Sequence, residues 1–541
     1  MVKEKNESGF IAALADAKQS YIDDGVLPPL TLWQWLEIWA RNYHQHTALV
    51  DGDEYLSYQG LKESAEYVAA GLQQQGIGAG DTVLVQLPNS NHFVVLCFAL
   101  FRLGAKPIMA MPAHREKDIN ALCQQAQPVA YVVPDHFLGF NYQVLADHIS
   151  QQHPCIRTVI IDGKSANHLT FEQFLHSAPL DPDTLQPSPT NIALLLLSGG
   201  TTGTPKLIPR THADYAFNAI ESAKVCKMSP QSVYLAALPI SHNFPLACPG
   251  ILGTLSVGGK VVMAKTAGDD EAFSLIEQEK VTITALVPPL AKLWLETKEW
   301  DETDISSLQL LQIGGSRLEE KVARQIKPIL GCQLQQVFGM AEGLLCYTRL
   351  DDDIETVATT QGKPLSTADQ IQILAPDGSP VSPGEAGELL TKGPYTIKGY
   401  YLAEEHNKKA FTQEGFYQSG DLVRQTANGY LIVEGRLKEQ INRAGEKIAI
   451  AEIEELLVEH PDVIDCILIP VPDERLGERS CAFVISDNPA FDLQQVQQYL
   501  TQHGLPRYKQ PDQLEHIAMW PLTTVSKVNK QALSQLAIEN D

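Results

Sequence analysis

No stretch of this chain stays apolar long enough to cross a bilayer. The most extended candidate, Phe93 to Phe101, is closed by Arg102 and Lys106, well short of the roughly 20 residues a helical span needs. A buried helix is the expectation there. No leader is expected either, because the opening residues Met1 to Glu7 mix charges and the apolar piece Phe10 to Ala15 is soon broken. The nine cysteines include no C-x-x-C pair and no Cys/His cluster at metal-ligand spacing. That pattern argues against a disulfide framework and reads as reduced thiols in a cytosol. Positive charge is scarce: 41 Lys and Arg stand against 65 Asp and Glu, a formal net charge of −24. So acidic a chain does not suit general binding to nucleic acid or to an anionic membrane. Internal repeats, low-complexity tracts and heptads are absent as well. These absences leave a cytoplasmic, soluble, globular protein as the expectation.

What is present begins with length. At 541 residues the chain is too long for a single core, so a large unit with at least one smaller domain is expected. Near residues 30–76 the pattern reads as helices around one hairpin, Thr47 to Val50 and Tyr55 to Ser57 about the Asp51-Gly52-Asp53 turn. From Asp81 the texture alternates between short apolar runs and helical stretches: strand Thr82 to Leu87, helix Asn91 to Leu103, strands Lys106 to Met111 and Val129 to Val133. A Pro-rich linker around Pro179 to Pro189 follows. The rhythm resumes with a helix from about Asp214 and strands at 233–238, 260–264, 282–287, 309–313 and 333–338. This predicts an α/β lobe of doubly wound parallel sheets with helices on both faces, whose ligands sit beyond the carboxyl ends of strands. Residues from about 362 to 435 become short β segments punctuated by Gly and Pro, a small barrel or β subdomain. From Lys438 a separate α+β domain of 438–541 is predicted, placing the boundary of the N-terminal lobe at 437. Its elements are helix 452–459, strands 465–471 and 482–485, and helix 493–502.

The chain is organised around Leu194 to Lys206, where a run of leucines stops and Ser198-Gly199-Gly200-Thr201-Thr202-Gly203-Thr204-Pro205-Lys206 follows. Glycines let backbone N–H groups close on an anion, while the hydroxyls and Lys206 add donors and one positive charge. The composition suits a polyphosphate, though an ordinary Gly/Thr surface loop has the same ingredients. It is not a Walker A loop, since Pro205 precedes the lysine and Leu207 follows it.

This loop resembles the signature of the adenylate-forming superfamily, which holds acyl- and aryl-CoA synthetases, peptide-synthetase adenylation domains and luciferases. The resemblance runs from about residue 30 to 535, with further motifs in the family's order. It implies that Ser198, Gly199, Thr201, Thr202 and Gly203, with Lys206, hold the phosphates of ATP. Gln335 to Gly343, with Gly314-Gly315 upstream, resembles the adenine-enclosing segment, implying Gly315, Val337 and Gly339 as nucleotide contacts and Glu342 as a ligand of Mg²⁺; a hard cation bridging phosphates takes carboxylate oxygens. Tyr417 to Asp421 resembles the ribose motif, with Asp421 accepting from the hydroxyls; by residue type alone it is equally a turn residue. Glu434 to Lys447 resembles the domain junction. There Arg436 reaches ribose or α-phosphate, Lys438 is the hinge and Lys447 is a further nucleotide contact. Pro521 to Leu533 resembles the C-terminal motif of the catalytic lysine, which falls on Lys527, with Ser526 where Gly is usual; by residue type alone it is a surface lysine.

Leu238 to Pro245 implies the acid pocket. Amino-acid-activating relatives carry Asp where this chain has Asn243, and a neutral amide leaves a buried ammonium without a partner. His242-Asn243-Phe244-Pro245 followed by Pro249-Gly250 resembles the 2,3-dihydroxybenzoate–AMP ligases of catechol siderophore synthesis. Those often have Ser where this chain has Cys248, a poorer hydrogen-bonding group. Ala341 and Leu345 join Asn243, Phe244 and Cys248 as expected acid contacts. His242 joins Lys206 and Lys527 as an expected catalytic residue.

The resemblance therefore implies a two-step ligase. 2,3-Dihydroxybenzoate and ATP give aryl-AMP and pyrophosphate. The C-terminal domain then rotates about Lys438 to admit the phosphopantetheine thiol of an aryl carrier protein acting in trans. Arg443, Lys447, Arg475 and Arg479 are the expected docking patch for that acidic partner. Two alternatives differ from this reading. An aryl-CoA ligase would accept free CoA, and a non-catalytic ATP-binding scaffold would have no need of Lys527, Glu342 and Asp421.

Overall fold

In the computed structural model, residues 2–178, 180, 184, 186–198, 206–375, 377–436, 441–448, 450–521 and 530–539 are described, with the backbone alone for 2–8, 436, 447, 451, 455 and 531. The signature residues Gly199, Thr201, Thr202 and Gly203, the hinge Lys438 and the lysine Lys527 lie outside the described residues.

The alternating stretches build two sheets. In one, seven strands run in the spatial order Lys206–Thr211, Ile192–Ser198, Lys106–Met109, Thr82–Val85, Ala130–Pro134, Thr158–Asp162 and Leu169–Thr170. All its pairings are parallel except the first, where Ser198 stands opposite Lys206. The other has nine strands. Its parallel centre takes in Gln333–Gly339, Leu310–Gly314, Ile283–Leu286, Val233–Ala236, Lys260–Met263 and Thr47–Asp51, with antiparallel strands at both edges. Helices Tyr58–Gln74, Asn91–Leu103 and His212–Val225 are buried between the sheets, and one core joins all of them. Separate cores cover the outer face of each sheet. The layers thus alternate α-β-α-β-α, which explains why the central strands read as unbroken Val, Ile and Leu runs: both faces are buried.

The Phe93-to-Phe101 run is, as expected, a buried helix, capped by Ser90 at its start and by Gly104 in the left-handed region at its end. No helix among the described residues is long and apolar enough to cross a membrane. The expected hairpin at Thr47–Asp51 and Glu54–Ser57 is present.

Two features differ from the sequence reading, and the β-rich stretch narrows it to a β subdomain and not a barrel. The signature loop leads into a second strand, Lys206–Thr211, before the helix begins at His212; Pro209 within it masked the strand pattern. The β-rich stretch is an open four-stranded antiparallel sheet, Gln370–Leu374, Gly387–Lys392, Tyr417–Gln425 and Leu431–Arg436. The segment before residue 30 contains a long helix, Val2–Asp23, whose apolar side chains are too sparse to announce an amphipathic face.

The smaller C-terminal domain is a sheet of five strands. Asp465–Asp473 and Gly477–Ile485 form its long hairpin, Ile441–Arg443 and Glu446–Ile448 a short one, and Gln513–His516 the fifth strand. Helices Ile450–Val458 and Leu493–Gln502 pack on it over a core of their own.

Candidate active site

Strand ends of both large sheets, the four-stranded sheet and the short C-terminal hairpin converge on one cavity of about 970 Å³. Every expected site residue whose side chain is described lines it: Ser198, Lys206, His242, Asn243, Phe244 and Cys248; Gly315, Val337, Gly339, Ala341, Glu342 and Leu345; and Asp421. For Arg436 and Lys447 only the backbone is described; Arg436 lies opposite Asp421 in the sheet.

One end of the cavity is a neutral slot. Asn243 opens the short helix Asn243–Ala247, whose first turn is capped by His242. The His242 Nδ1 accepts from the Phe244 N–H at 3.3 Å, which puts the neutral ring's proton on Nε2. Asn243 is 5% exposed; its Nδ2 donates to the Cys248 sulfur at 3.3 Å, and its buried Oδ1 has no hydrogen-bond partner among the described residues. Burial pushes the Cys248 thiol up to about 12, against donors from Asn218, so it is a neutral thiol. The Phe244 ring packs so closely on Gly314 that a Cβ there would come within 3.1 Å of it and within 2.7 Å of the Val337 carbonyl. Only glycine permits that approach, which makes the slot flat on one side. Leu345 is buried, its N–H donating to the Tyr395 hydroxyl at 3.3 Å.

Charge gathers at the other end. The Glu342 carboxylate, on an 8%-exposed residue, accepts from the Tyr400 hydroxyl at 2.7 Å, and the Tyr400 and Tyr417 hydroxyls are 2.9 Å apart. The Lys206 ammonium lies 5.6 Å from the centre of the Tyr400 ring. A carboxylate, an ammonium and two phenols thus share one wall, with Ser198, whose buried Oγ has no hydrogen-bond partner among the described residues. Such a set fits a polyphosphate with a hard divalent cation: carboxylate oxygen for the metal, ammonium and hydroxyl for phosphate oxygens. Asp421, buried at 5% exposure, follows Gly420 in the left-handed region, and its N–H donates to the Ser419 hydroxyl at 3.1 Å.

The C-terminal domain closes the cavity. Ala444, Gly445 and Glu446 at the tip of the short hairpin line it, beside Tyr508 and Lys509. Gly445, at φ +89°, sits where a Cβ would strike the Val287 side chain at 2.7 Å. Asn442 donates to the Gly315 carbonyl at 3.4 Å.

Tyr400, Tyr417, Arg115 and Lys509 are cavity residues that the sequence reading did not assign. No spacing links them to the motifs; only Tyr417 stood within a quoted one. Two of the expected docking residues are engaged within the C-terminal domain. Arg443 forks onto the Asp512 carboxylate at 2.7–3.1 Å. Arg479 is buried and donates to Gln513. Arg479 is thus taken up inside the C-terminal domain, whereas Arg443 keeps about a quarter of its side-chain surface in solvent and Arg475 remains exposed.

Comparison with known proteins gives the family. A family model described as AMP-binding enzyme matches residues 36–401, and one described as AMP-binding enzyme C-terminal domain matches 452–527. A 2,3-dihydroxybenzoate-AMP ligase of Bacillus subtilis (strain 168) is 46% identical over 531 residues, 98% of each chain. A salicyl-AMP ligase / salicyl-S-ArCP synthetase of Mycobacterium tuberculosis is 44% identical, covering 97% of this chain and 94% of that one. The apo structure of MbtA from Mycobacterium smegmatis is 42% identical and superposes with a TM-score of 0.75 over 96% of this chain and 97% of that one. With both parts of the chain matched and the cavity lined by the residues the family motifs single out, the chain belongs to the AMP-binding enzymes.

Proposed function

We propose that this protein is an aryl-acid adenylating ligase that uses ATP and Mg²⁺. It joins 2,3-dihydroxybenzoate to AMP with release of pyrophosphate, then passes the aryl group to the phosphopantetheine thiol of an aryl carrier protein in siderophore synthesis. The observation that carries this reading is the adjacency of a flat neutral slot, with the unpaired Asn243 Oδ1, to the charged wall of Glu342 and Lys206. An unpaired buried acceptor suits a hydroxyl donor on the ring, and Asn243 offers nothing to neutralise an ammonium.

Adenylation requires one anion to attack another. Lys206 offsets charge on the phosphates, and Lys527, whose role rests on the family motif, offsets the charge that grows as the carboxylate oxygen bonds to the α-phosphorus. Glu342 would hold Mg²⁺, which when bound supplies further neutralisation of the phosphates. Asp421 accepts from the ribose hydroxyls, while Val337 and Gly339 enclose the adenine. Phe244 and the bare face of Gly314 hold the ring. Rotation about Lys438 then withdraws Lys527 and opens the thiol's path. The lobe boundary at 437 and the β subdomain belong to the same reading.

A second substrate has a specific observation behind it. Asn243 meets a neutral thiol at Cys248, a weak partner for a ring 3-hydroxyl; this favours salicylate, named in the mycobacterial relative. Pyrophosphate exchange across a panel of benzoates, amino acids and fatty acids tests both. Exchange fastest with a 2-hydroxylated benzoate is expected, and exchange fastest with an amino or fatty acid overturns the reading. Transfer to carrier protein in preference to free CoA completes it. Lys527→Ala is expected to cripple adenylation and spare thioester transfer; equal loss of both ends the rotation account.

A further inference from the structure

The helix Val2–Asp23 precedes the stretch matched by the family model, yet it buries Leu14 and the charged side chain of Lys18 in the lobe. Lys18 is 0% exposed. Its three ammonium hydrogens meet three oxygens: the carbonyls of Pro394 at 2.8 Å and Thr396 at 3.0 Å, and the Asp214 carboxylate at 3.1 Å. A buried ammonium persists only when satisfied in this way. Burial presses its pKa down and Asp214 opposes that.

Both holds lead to Glu342. On one side, Asp214 accepts from the Arg210 Nε at 2.8 Å, and Arg210 donates onward to the Ala341 carbonyl at 3.0 Å. On the other, the carbonyls gripped by Lys18 belong to the segment 394–400. Within it the Ile397 N–H donates to the Glu342 carbonyl at 2.8 Å, and the Tyr400 hydroxyl donates to the Glu342 carboxylate at 2.7 Å. Gly343 lies so near this segment that a Cβ would come within 2.7 Å of the Thr396 Cα. The turn bearing Glu342 is therefore clasped from two directions, and the two clasps meet on one ammonium.

We propose that Lys18 is a positioning residue for Glu342, joining the 394–400 segment to the Asp214–Arg210 pair so that the carboxylate is preset to receive Mg²⁺ and nucleotide. The inference rests on the assignment of Glu342 as the metal-binding carboxylate. A lysine serving only the core would lower stability when removed and leave ligand affinity of the folded molecule unchanged.

Lys18→Met keeps the length of the side chain and removes its charge and donors. Full-length wild type and variant are titrated calorimetrically with Mg²⁺ plus α,β-methylene-ATP, and separately with 2,3-dihydroxybenzoate and salicylate. The expected result is a nucleotide Kd raised about tenfold, the scale of one lost charge-assisted hydrogen bond, with aryl-acid Kd values held to within about twofold. A folded Lys18→Met with wild-type nucleotide affinity overturns the proposal. Should that variant not fold, Lys18→Gln decides, because its amide keeps N–H donors for the Pro394 and Thr396 carbonyls while removing the charge that joins them to Asp214. The same selective loss supports the clasp, and unchanged nucleotide affinity overturns it. A wild-type protein that binds no magnesium nucleotide at all would sink the functional reading instead, so the two failures are distinguishable.

Discussion

Asn243 and Cys248 show how much one atom decides. Asn243 donates to the Cys248 sulfur at 3.3 Å while its own Oδ1 stays unpaired, and Asn218 approaches the same sulfur at 3.8 Å while donating to the Ala247 carbonyl at 2.6 Å. A hydroxyl in place of the thiol would be a stronger donor and acceptor at almost the same position. Cys248→Ser is expected to improve kcat/KM for 2,3-dihydroxybenzoate relative to salicylate by about threefold to tenfold, the worth of one neutral hydrogen bond. An unchanged ratio in pyrophosphate exchange would take residue 248 out of ring recognition. Tyr400→Phe tests the other end. It strips a 2.7 Å donor from the buried Glu342 carboxylate, and the KM for Mg²⁺·ATP is expected to rise about fivefold with the aryl-acid KM unchanged.

At the scale of elements, the two domains meet through buried charge. Lys509, from the short turn Arg507–Lys509, donates to Asp118 at 2.8 Å and to Glu452 at 3.1 Å, and all three are buried. Asp118 stands in the first turn of helix Glu116–Ala126 of the large lobe, and Glu452 in the first turn of helix Ile450–Val458 of the small domain. Burial alone would raise the Asp118 carboxyl, yet Lys509 and His114 hold it below its ordinary range. This stabilisation is present above the unfolded carboxylate pKa and is lost as pH falls through the folded value. Asp118→Asn and Lys509→Met should each lower the first calorimetric transition. The double variant should lose less than the two effects added, because Lys509→Met strands the buried Asp118 carboxylate that Asp118→Asn removes. Strict additivity would show that the contact does not couple the domains.

Across the whole molecule, the docked hairpin adds a pH response. Burial raises the Glu446 carboxyl to about 7, with Lys509 opposing. The folded state therefore holds a proton that the unfolded chain has released, and stability falls as pH rises from about 4.5 to about 7. Glu446→Gln removes that proton, so the Tm of the variant relative to wild type should climb between pH 5 and pH 8. A constant difference in differential scanning calorimetry across that range would place Glu446 in water. The two buried histidines titrate the other way. Burial lowers His114 to about 4 and His212 to about 3, so their contribution is lost as pH falls below about 6.5. Comparing variant with wild type cancels them.

The chain alone determined what is local. Unbroken Leu, Val and Ile runs announced doubly buried strands, and Leu493–Gln502 was legible as a helix from its apolar spacing. The motif strings around Asn243, Glu342 and Asp421 named residues that line one cavity in the fold, because residue type and spacing carry local information within a few turns of backbone. The phosphate loop and Lys527 are proposed from their motifs alone, since 199–205 and 522–529 lie outside the described residues. Only the tertiary structure decided which distant groups meet: Lys18 with Thr396, Tyr400 with Glu342, and Lys509 with Asp118, 391 residues apart. It also paired Arg443 with Asp512 and buried Arg479. No periodicity encodes such pairings. A buried charge takes whatever partner the packing of both sheets and the docked domain brings within 3 Å or so of it, and that is settled when the whole chain closes around it.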